Sequence, residues 1–148
     1  MQVDDRQAAD QIEKDEGPDK IVLVFGATGQ QGGAVASALR ADGWAVKAFV
    51  RDLLSDKARA LSCLGVSLAQ GNFLDTASIR NAMAGVYGVF SVQPSSGQGA
   101  VYGVSDEDEV RFGKTIADAA VESGVQHLVY TSVNAAGPEK TGMGHFDS

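Results

Sequence analysis

Ile21-Val-Leu-Val-Phe-Gly-Ala-Thr-Gly-Gln-Gln-Gly-Gly33 is the stretch of sequence that decides the fold. Its first five residues are a continuous run of apolar, β-favouring side chains, which is typical of a strand buried on both faces of a parallel sheet. Gly26, Gly29 and Gly32 follow at once, and a helical pattern comes after them. A strand, a glycine turn and a helix in this order predict the first unit of a doubly wound sheet.

Strand and helix patterns continue to alternate along the chain. After the first helix, which is predicted to end at Asp42-Gly43, the patterns predict a strand over 44–50, a helix over 55–64, a strand over 66–70, a helix over 76–84, a strand over 86–92, a helix from 105 to about 122 and a strand over 127–133. Alternation with right-handed crossovers predicts an α/β, Rossmann-type, doubly wound parallel sheet of about five strands in the order 3-2-1-4-5.

Two regions lie outside this alternation. Residues 1–19 are polar and rich in acids, and we predict a flexible acidic N-terminal extension there. Residues 20–148 are predicted to form one nucleotide-binding domain. Residues 134–148 are glycine-rich and have no strand pattern, so the fifth strand is predicted to be an open edge of the sheet. Either the chain is a fragment of a longer protein, or a partner or a second copy covers this edge.

Composition limits the classes of partner. The chain has 148 residues, and its formal net charge of −7 disfavours direct contact with nucleic acid or with a membrane surface. A lone cysteine and the lack of any long apolar run predict a cytoplasmic protein. Cys63 lies among apolar helix residues and is predicted to be buried. Two histidines and one cysteine without clustered spacing predict no metal site.

The glycine turn is predicted to hold phosphates. Without side chains, its glycines let the chain turn sharply, approach a pyrophosphate closely and pack the next helix on the sheet. The free N–H groups and the dipole of the helix start then bind the phosphates without a lysine. A plain tight turn is the alternative, but the position between a strand and a helix favours phosphate binding. The predicted contacts are Gly26, Thr28, Gly29, Gln30, Gln31 and Gly32.

Residues after the other strands predict the rest of the nucleotide site. Arg51 ends the second strand, where a guanidinium pairs with a 2′-phosphate and favours NADP, unless it is simply a solvated charge. Asp52 follows it and would instead serve the ribose of NAD. Asn72 and Phe73 follow the third strand and are predicted to contact adenine, although Phe73 equally suits the core. Gln93 ends the fourth strand on the nicotinamide side, with a plain loop position as the alternative.

Several linked motifs resemble those of one family. They are Gly26-Ala-Thr-Gly-Gln-Gln-Gly-Gly33, Val50-Arg-Asp52, Gly88-Val-Phe-Ser-Val-Gln-Pro94, His127-Leu-Val-Tyr-Thr-Ser-Val133 and Gly144-His-Phe-Asp-Ser148. From about residue 20 to the last residue, the sequence resembles the NmrA-like family, an atypical branch of the extended short-chain dehydrogenase/reductase superfamily. The resemblance implies NAD(P) binding at the glycine turn. It also implies a C-terminal substrate lobe, which we expect to be absent from this chain.

Members of that family include redox-sensing transcriptional regulators and NADPH-dependent reductases related to quinone and isoflavone reductases. Catalysis in the superfamily uses a Tyr-x-x-x-Lys pair, in which the lysine lowers the pKa of the phenol. Here His145 falls at the tyrosine position and no lysine follows, so we predict no catalytic residue. The first hypothesis is a redox-responsive binding and regulatory protein that holds NADP, with NAD as the alternative. The second is an NADPH-dependent reductase of quinones or related carbonyl compounds.

Overall fold

A parallel sheet of five strands in the order β3-β2-β1-β4-β5 forms the centre of the molecule. The computed structural model describes residues 20–92, 94 and 103–132. Its elements are β1 (Ile21–Phe25), α1 (Gln30–Ala41), β2 (Ala45–Val50), α2 (Asp56–Cys63), β3 (Ser67–Gln70), α3 (Thr76–Met83), β4 (Gly88–Ser91), α4 (Asp106–Glu122) and β5 (His127–Tyr130). The predicted α/β class and the predicted strand order are therefore confirmed.

Three strands begin later than the sequence pattern predicts. The backbone N–H of Trp44 donates to the Leu39 carbonyl, and that of Val66 donates to the Leu61 carbonyl. In the same way, the N–H of Val86 donates to the end of α3. Each of these apolar residues closes the preceding helix before the strand starts. Apolar character alone does not distinguish a residue that closes a helix from the first residue of a strand.

Side chains of β1 alternate between two apolar layers, one on each face of the sheet. Leu23 and Phe25 face one layer, and Val24 faces the other, with no exposed surface at any of the three. The first layer includes residues of α3 and α4, and the second includes residues of α1 and α2. Burying one such side chain contributes about 2 kcal/mol. The continuous apolar run of β1 is thus explained by helices on both faces.

β5 lies at the edge of the sheet and pairs with β4. Leu128, Val129 and Tyr130 are 39%, 41% and 45% exposed. These three side chains are thus exposed although the strand is largely apolar. The physical reason is position: among the described residues no further strand pairs with the outer side of β5.

Cys63 is exposed, so the prediction that it is buried is wrong. The buried residues of α2 are Ala58 and Leu61. Successive residues of an α-helix are about 100° apart, so Cys63 lies roughly 200° around the helix from Leu61 and faces away from the sheet. Apolar neighbours in sequence misled the prediction, because they lie on different faces of this short helix. In the described part of the chain, none of the helices combines the length and apolar character needed to cross a bilayer.

Candidate functional site

The residues predicted to bind a dinucleotide follow the carboxyl ends of neighbouring strands. β1 lies between β2 and β4, and the chain winds outward from it in both directions. Register pairs Phe25 of β1 with Ser91 of β4, and Val50 of β2 with Gln70 of β3. Gly26, which follows Phe25, therefore lies at the switch point of the sheet. Ligands of doubly wound proteins bind in the crevice at this edge.

Gly26 has a φ of 70°, in the left-handed region that side chains rarely adopt. A β-carbon at this position would lie 2.3 Å from the carbonyl oxygen of Val92, just after β4. The Gly26 carbonyl accepts a hydrogen bond of 2.9 Å from the N–H of Gly29. The turn is therefore closed on itself and packed against the end of β4, which only glycine permits.

Gly32 brings the first turn of α1 onto the same loop. A β-carbon there would lie 2.2 Å from the Gly26 carbonyl oxygen and 2.9 Å from the Ala27 nitrogen. Gly33 is also tight, since its β-carbon would lie 3.1 Å from the Ala27 oxygen. The loop and the helix start thus form a cradle of bare backbone. Side chains at these glycines would fill it.

α1 begins without a side-chain cap, unlike the other helices. Gly29 is its N-cap and makes no side-chain hydrogen bond, and its first turn contains no acid. By contrast, Ser55 caps α2, Asp75 caps α3, and Ser105 forms a capping box at α4. A side-chain cap contributes about 1 kcal/mol to a helix. The start of α1 lacks such a cap, so its backbone N–H groups are left for another acceptor.

The N–H groups available at this start are those of Gln30, Gln31 and Gly32. The first helical hydrogen bond runs from the Gly33 N–H to the Gly29 carbonyl, so these three precede it. Gln30 and Gln31 are exposed, and Thr28 in the turn before them is half-buried. Aligned N–H groups and the positive end of the helix dipole favour an anion here. The cradle therefore fits the pyrophosphate of a dinucleotide.

Arg51 and Asp52 follow β2 at the same edge, and both are exposed. Ion pairs join Arg80 to Glu122 and Arg111 to Asp108, and neither of them involves the Arg51 guanidinium. The Asp52 carboxylate is engaged, because its Oδ1 accepts a 2.8 Å hydrogen bond from the Leu54 N–H. One oxygen of the Asp52 carboxylate is thus engaged within the loop, whereas the Arg51 guanidinium takes part in neither of these ion pairs.

Asn72 and Phe73 follow β3. Asn72 is exposed, and its Oδ1 accepts a 2.9 Å hydrogen bond from the Leu74 N–H. Phe73 is half-buried, and its ring centroid lies 5.6 Å from that of Phe49 and 5.3 Å from that of Phe112. The alternative that Phe73 belongs to the core matches this packing. Asn72 follows the end of β3 at the sheet edge where the sequence placed it, whereas Gln93 lies outside the described residues.

Titratable groups with shifted pKa values lie away from this edge. A hydrogen bond from Arg80 lowers the pKa of Glu122 and joins α3 to α4, and the Glu122 carboxylate in turn raises the pKa of Arg80. The backbone N–H and the hydroxyl of Ser105 lower the pKa of Asp108. These shifts belong to helix contacts. Over residues 20–92, 94 and 103–132, no three metal-ligating side chains come together.

Sequence reasoning missed two side chains at this edge. Ser55 donates its hydroxyl to the Asp52 carbonyl at 3.1 Å and also caps α2. Gln70 donates its Nε2 to the Arg51 carbonyl at 3.2 Å. The first contact has a local signal, since an acid and a serine three residues later are typical of a turn that leads into a helix. The second contact requires the register of β2 and β3, for which the local sequence has no signal.

A doubly wound parallel sheet with a bare glycine cradle at its switch point defines a Rossmann-type protein. The model of the NmrA-like family matches residues 18–148. The chain belongs to the NmrA-like family, as its motifs predict.

Two fungal relatives are similar over most of this chain. The NmrA-like family domain-containing oxidoreductase lnaB of Aspergillus flavus is 38% identical over 125 residues, which are 84% of this chain and 36% of that protein. The corresponding oxidoreductase notA of an Aspergillus species is 39% identical over 115 residues, which are 76% of this chain and 34% of that protein. The chain therefore spans about a third of the length of these relatives.

Solved structures show the same likeness. Nmra, a negative transcriptional regulator, has structures in complex with NAD and with NADP; they are 29% and 30% identical to this chain, each with a TM-score of 0.67. Each match covers 82% of this chain and 37% of Nmra. Triphenylmethane reductase of a Citrobacter species is 27% identical, with a TM-score of 0.66, over 84% of this chain and 41% of that chain.

Proposed function

We propose that this chain binds NADP(H) at the glycine turn and belongs to a redox-responsive regulatory protein. The observation that carries the proposal is the start of α1, where an uncapped helix without an acid opens onto a cradle of bare backbone. Three N–H groups and the helix dipole there would stabilise the pyrophosphate. Gly26, Thr28, Gly29, Gln30, Gln31 and Gly32 are the residues that would hold it.

The preference for NADP rests on Arg51. Its guanidinium is exposed at the end of β2, where the adenosine ribose of a bound dinucleotide would lie. A guanidinium pairs well with a phosphate, whereas NAD binders place an acid at this position. Asp52 is the acid nearby, and its Oδ1 already accepts the Leu54 N–H. Asn72 at the end of β3 and Gln93 after β4 would complete the adenine and nicotinamide sides.

The regulatory role is favoured over catalysis by the chemistry of this chain. In its sequence, the residues four positions after Tyr87, Tyr102 and Tyr130 are Ser91, Asp106 and Asn134. A phenol that works as an acid at neutral pH needs a nearby cation to lower its pKa, and none of these tyrosines has a lysine at that spacing. Nmra, whose solved complexes hold NAD and NADP, is a negative transcriptional regulator. A regulator with a bound dinucleotide supports the proposal that this chain binds a dinucleotide within a regulatory protein.

A reductase of quinones or related carbonyl compounds is the second candidate. It is favoured by the names of the fungal relatives, which are oxidoreductases. In that case the bound cofactor would supply a hydride, and this domain would contribute its binding and orientation. The substrate pocket would lie in the part of such proteins that this chain does not span.

Fluorescence titration tests the binding proposal, because NADPH fluoresces and its emission changes when it is bound. We expect saturable binding of NADPH, competition by NADP⁺, and weaker competition by NAD⁺. Addition of a simple quinone to the complex then tests the second candidate. Rapid oxidation of NADPH that needs the protein would replace the regulatory role with the reductase. Absence of NADPH binding in a folded chain would contradict both.

A further inference from the structure

The loop after β2 is a closed turn held by Asp52. The Oδ1 of Asp52 accepts a hydrogen bond of 2.8 Å from the Leu54 N–H. Its carbonyl oxygen accepts one of 3.1 Å from the hydroxyl of Ser55, which in turn accepts the Ala58 N–H at 3.2 Å. The loop is thereby continuous with the first turn of α2. A turn in which a side-chain oxygen accepts the backbone N–H of the residue two positions later is an Asx turn. Asparagine forms this turn as well as aspartate does.

Arg51 is also held on its other side. Val50 is in register with Gln70, and the Gly71 N–H donates to the Val50 carbonyl at 2.9 Å. One residue further on, the Nε2 of Gln70 donates to the Arg51 carbonyl at 3.2 Å. β3 therefore holds the Arg51 carbonyl from the side, and Asp52 holds the turn that directly follows Arg51. The Arg51 side chain itself stays exposed.

A fixed backbone and a free guanidinium form a preorganised arrangement. Ordering a flexible loop at the moment of binding costs free energy, and a loop that is already ordered avoids this cost. Asp52, the acid that follows Arg51, contributes to this preorganisation by accepting the hydrogen bond from the Leu54 N–H. Its Oδ1 already accepts the Leu54 N–H, so a ribose hydroxyl bound at that oxygen would share it with the loop.

We propose that Asp52 and Gln70 are positioning residues that set the preference for a 2′-phosphate by fixing the Arg51 loop. This inference rests on the proposed binding of NADP(H) and identifies what orients its phosphate-binding arginine. Asp52 acts through its acceptor oxygen, and Gln70 acts through its donor nitrogen. Both side chains would act through the backbone of the loop rather than by contact with the cofactor.

Two variants of Asp52 separate the acceptor from the charge. Asp52→Asn keeps an oxygen for the Leu54 N–H, and Asp52→Ala removes it, while both remove the same negative charge. The probes are adenosine 2′,5′-bisphosphate, which carries the 2′-phosphate, and 5′-AMP, which lacks it. We expect Asp52→Ala to bind the bisphosphate roughly three- to tenfold more weakly than Asp52→Asn. This range corresponds to the cost of ordering one additional group of the loop when the ligand binds. Binding of 5′-AMP should be the same in both variants.

Gln70 is tested by Gln70→Met, which keeps an unbranched side chain of similar length and removes the donor. Gln126→Met is the matched control, because Gln126 is also exposed and lies just before β5, at the opposite edge of the sheet. We expect Gln70→Met to weaken the bisphosphate roughly three- to tenfold relative to the control. Its affinity for 5′-AMP should not change, although a general loss of structure would lower both affinities.

The outcomes distinguish this inference from the proposed function. Equal binding of the bisphosphate by Asp52→Asn and Asp52→Ala would overturn the positioning role of Asp52. If both variants lose 5′-AMP, the carboxylate is a ribose ligand and the inference is wrong. If the unaltered chain binds NADPH but Gln70→Met changes nothing, the clamp by Gln70 is wrong and the proposed function stands. If the unaltered chain binds neither NADPH nor NADH, the proposed function fails and the inference fails with it.

Discussion

Gly32 packs so closely on Gly26 that a β-carbon at position 32 would lie 2.2 Å from the Gly26 carbonyl oxygen. The two residues join the end of β1 to the first turn of α1. Because neither has a side chain, the N–H groups at the helix start remain open to a ligand. The geometry of the turn and the proposed anion binding thus depend on the same pair of glycines.

Gly26→Ala should destabilise the fold. Its φ of 70° disfavours alanine, and the new methyl group would lie 2.3 Å from the Val92 carbonyl oxygen. We expect the free energy of unfolding in urea to fall by about 2 kcal/mol or more. Gly88→Ala is the matched control, since the nearest atom to its β-carbon would be 3.5 Å away. Similar losses in both variants would show that the turn at Gly26 has no special requirement for glycine.

Arg51→Ala should separate the two cofactors. Loss of the guanidinium removes a charge-assisted hydrogen bond to the 2′-phosphate, so NADPH affinity should fall by about tenfold or more. NADH affinity should change little, because NADH has no phosphate at this position. Arg59→Ala is a control of equal charge on the exposed part of α2. Equal losses for NADPH and NADH in a calorimetric titration would remove the basis for the NADP preference.

Leu23→Ala should test the packing of the two layers around the sheet. Leu23 is completely buried in β1, and Leu54 is 73% exposed in the loop after β2. We expect Leu23→Ala to lower the free energy of unfolding by about 2–5 kcal/mol, from lost burial and the cavity that remains. Leu54→Ala removes the same atoms from the surface and should change the free energy of unfolding by less than about 0.5 kcal/mol. A small effect at Leu23 would contradict the described core.

Acid should weaken the start of α4 through Asp108. The N–H and hydroxyl of Ser105 hold the pKa of this carboxyl below its ordinary value of 3.8. A carboxyl whose pKa is lower in the folded chain contributes stability above its ordinary value. That stability is lost as the pH falls through the lowered value. We therefore expect the melting temperature of Asp108→Asn to decline less steeply than that of the unaltered chain as the pH falls from about 5 to about 2.

Glu107→Gln is the control for the acid prediction, because it removes one carboxyl from the neighbouring exposed position of the same helix turn. Its melting temperature should decline with falling pH as steeply as that of the unaltered chain. If both variants flatten the decline equally, general charge repulsion rather than the capping box of Ser105 and Asp108 governs the acid response.

Much of the fold could be predicted because its signals are local. The apolar run of β1 and the glycines after it each act within a few residues. The strand order followed from the handedness of crossovers. Strand starts were predicted too early, because residues such as Val66 close a helix although they resemble strand residues.

The candidate site was only partly predictable. The glycine cradle could be predicted from the spacing of its glycines, and Arg51 could be predicted from its position at the end of a strand. The engaged carboxylate of Asp52 and the contact from Gln70 depend on side-chain geometry and on register between strands. Exposure at Cys63 and Tyr130 likewise depends on the helix face and on the sheet edge. Neither follows from the apolar character of neighbouring residues.

The most direct test of the phosphate cradle is the calorimetric affinity for NADPH of Gln31→Glu beside that of the unaltered chain. Gln31 is exposed in the first turn of α1, so the acid should preserve or raise helix stability while repelling the phosphates. Gln126→Glu adds the same charge at the opposite edge. We predict that Gln31→Glu weakens NADPH about tenfold or more and that the control does not. Unchanged affinity for NADPH in a folded Gln31→Glu chain would contradict phosphate binding at this helix start.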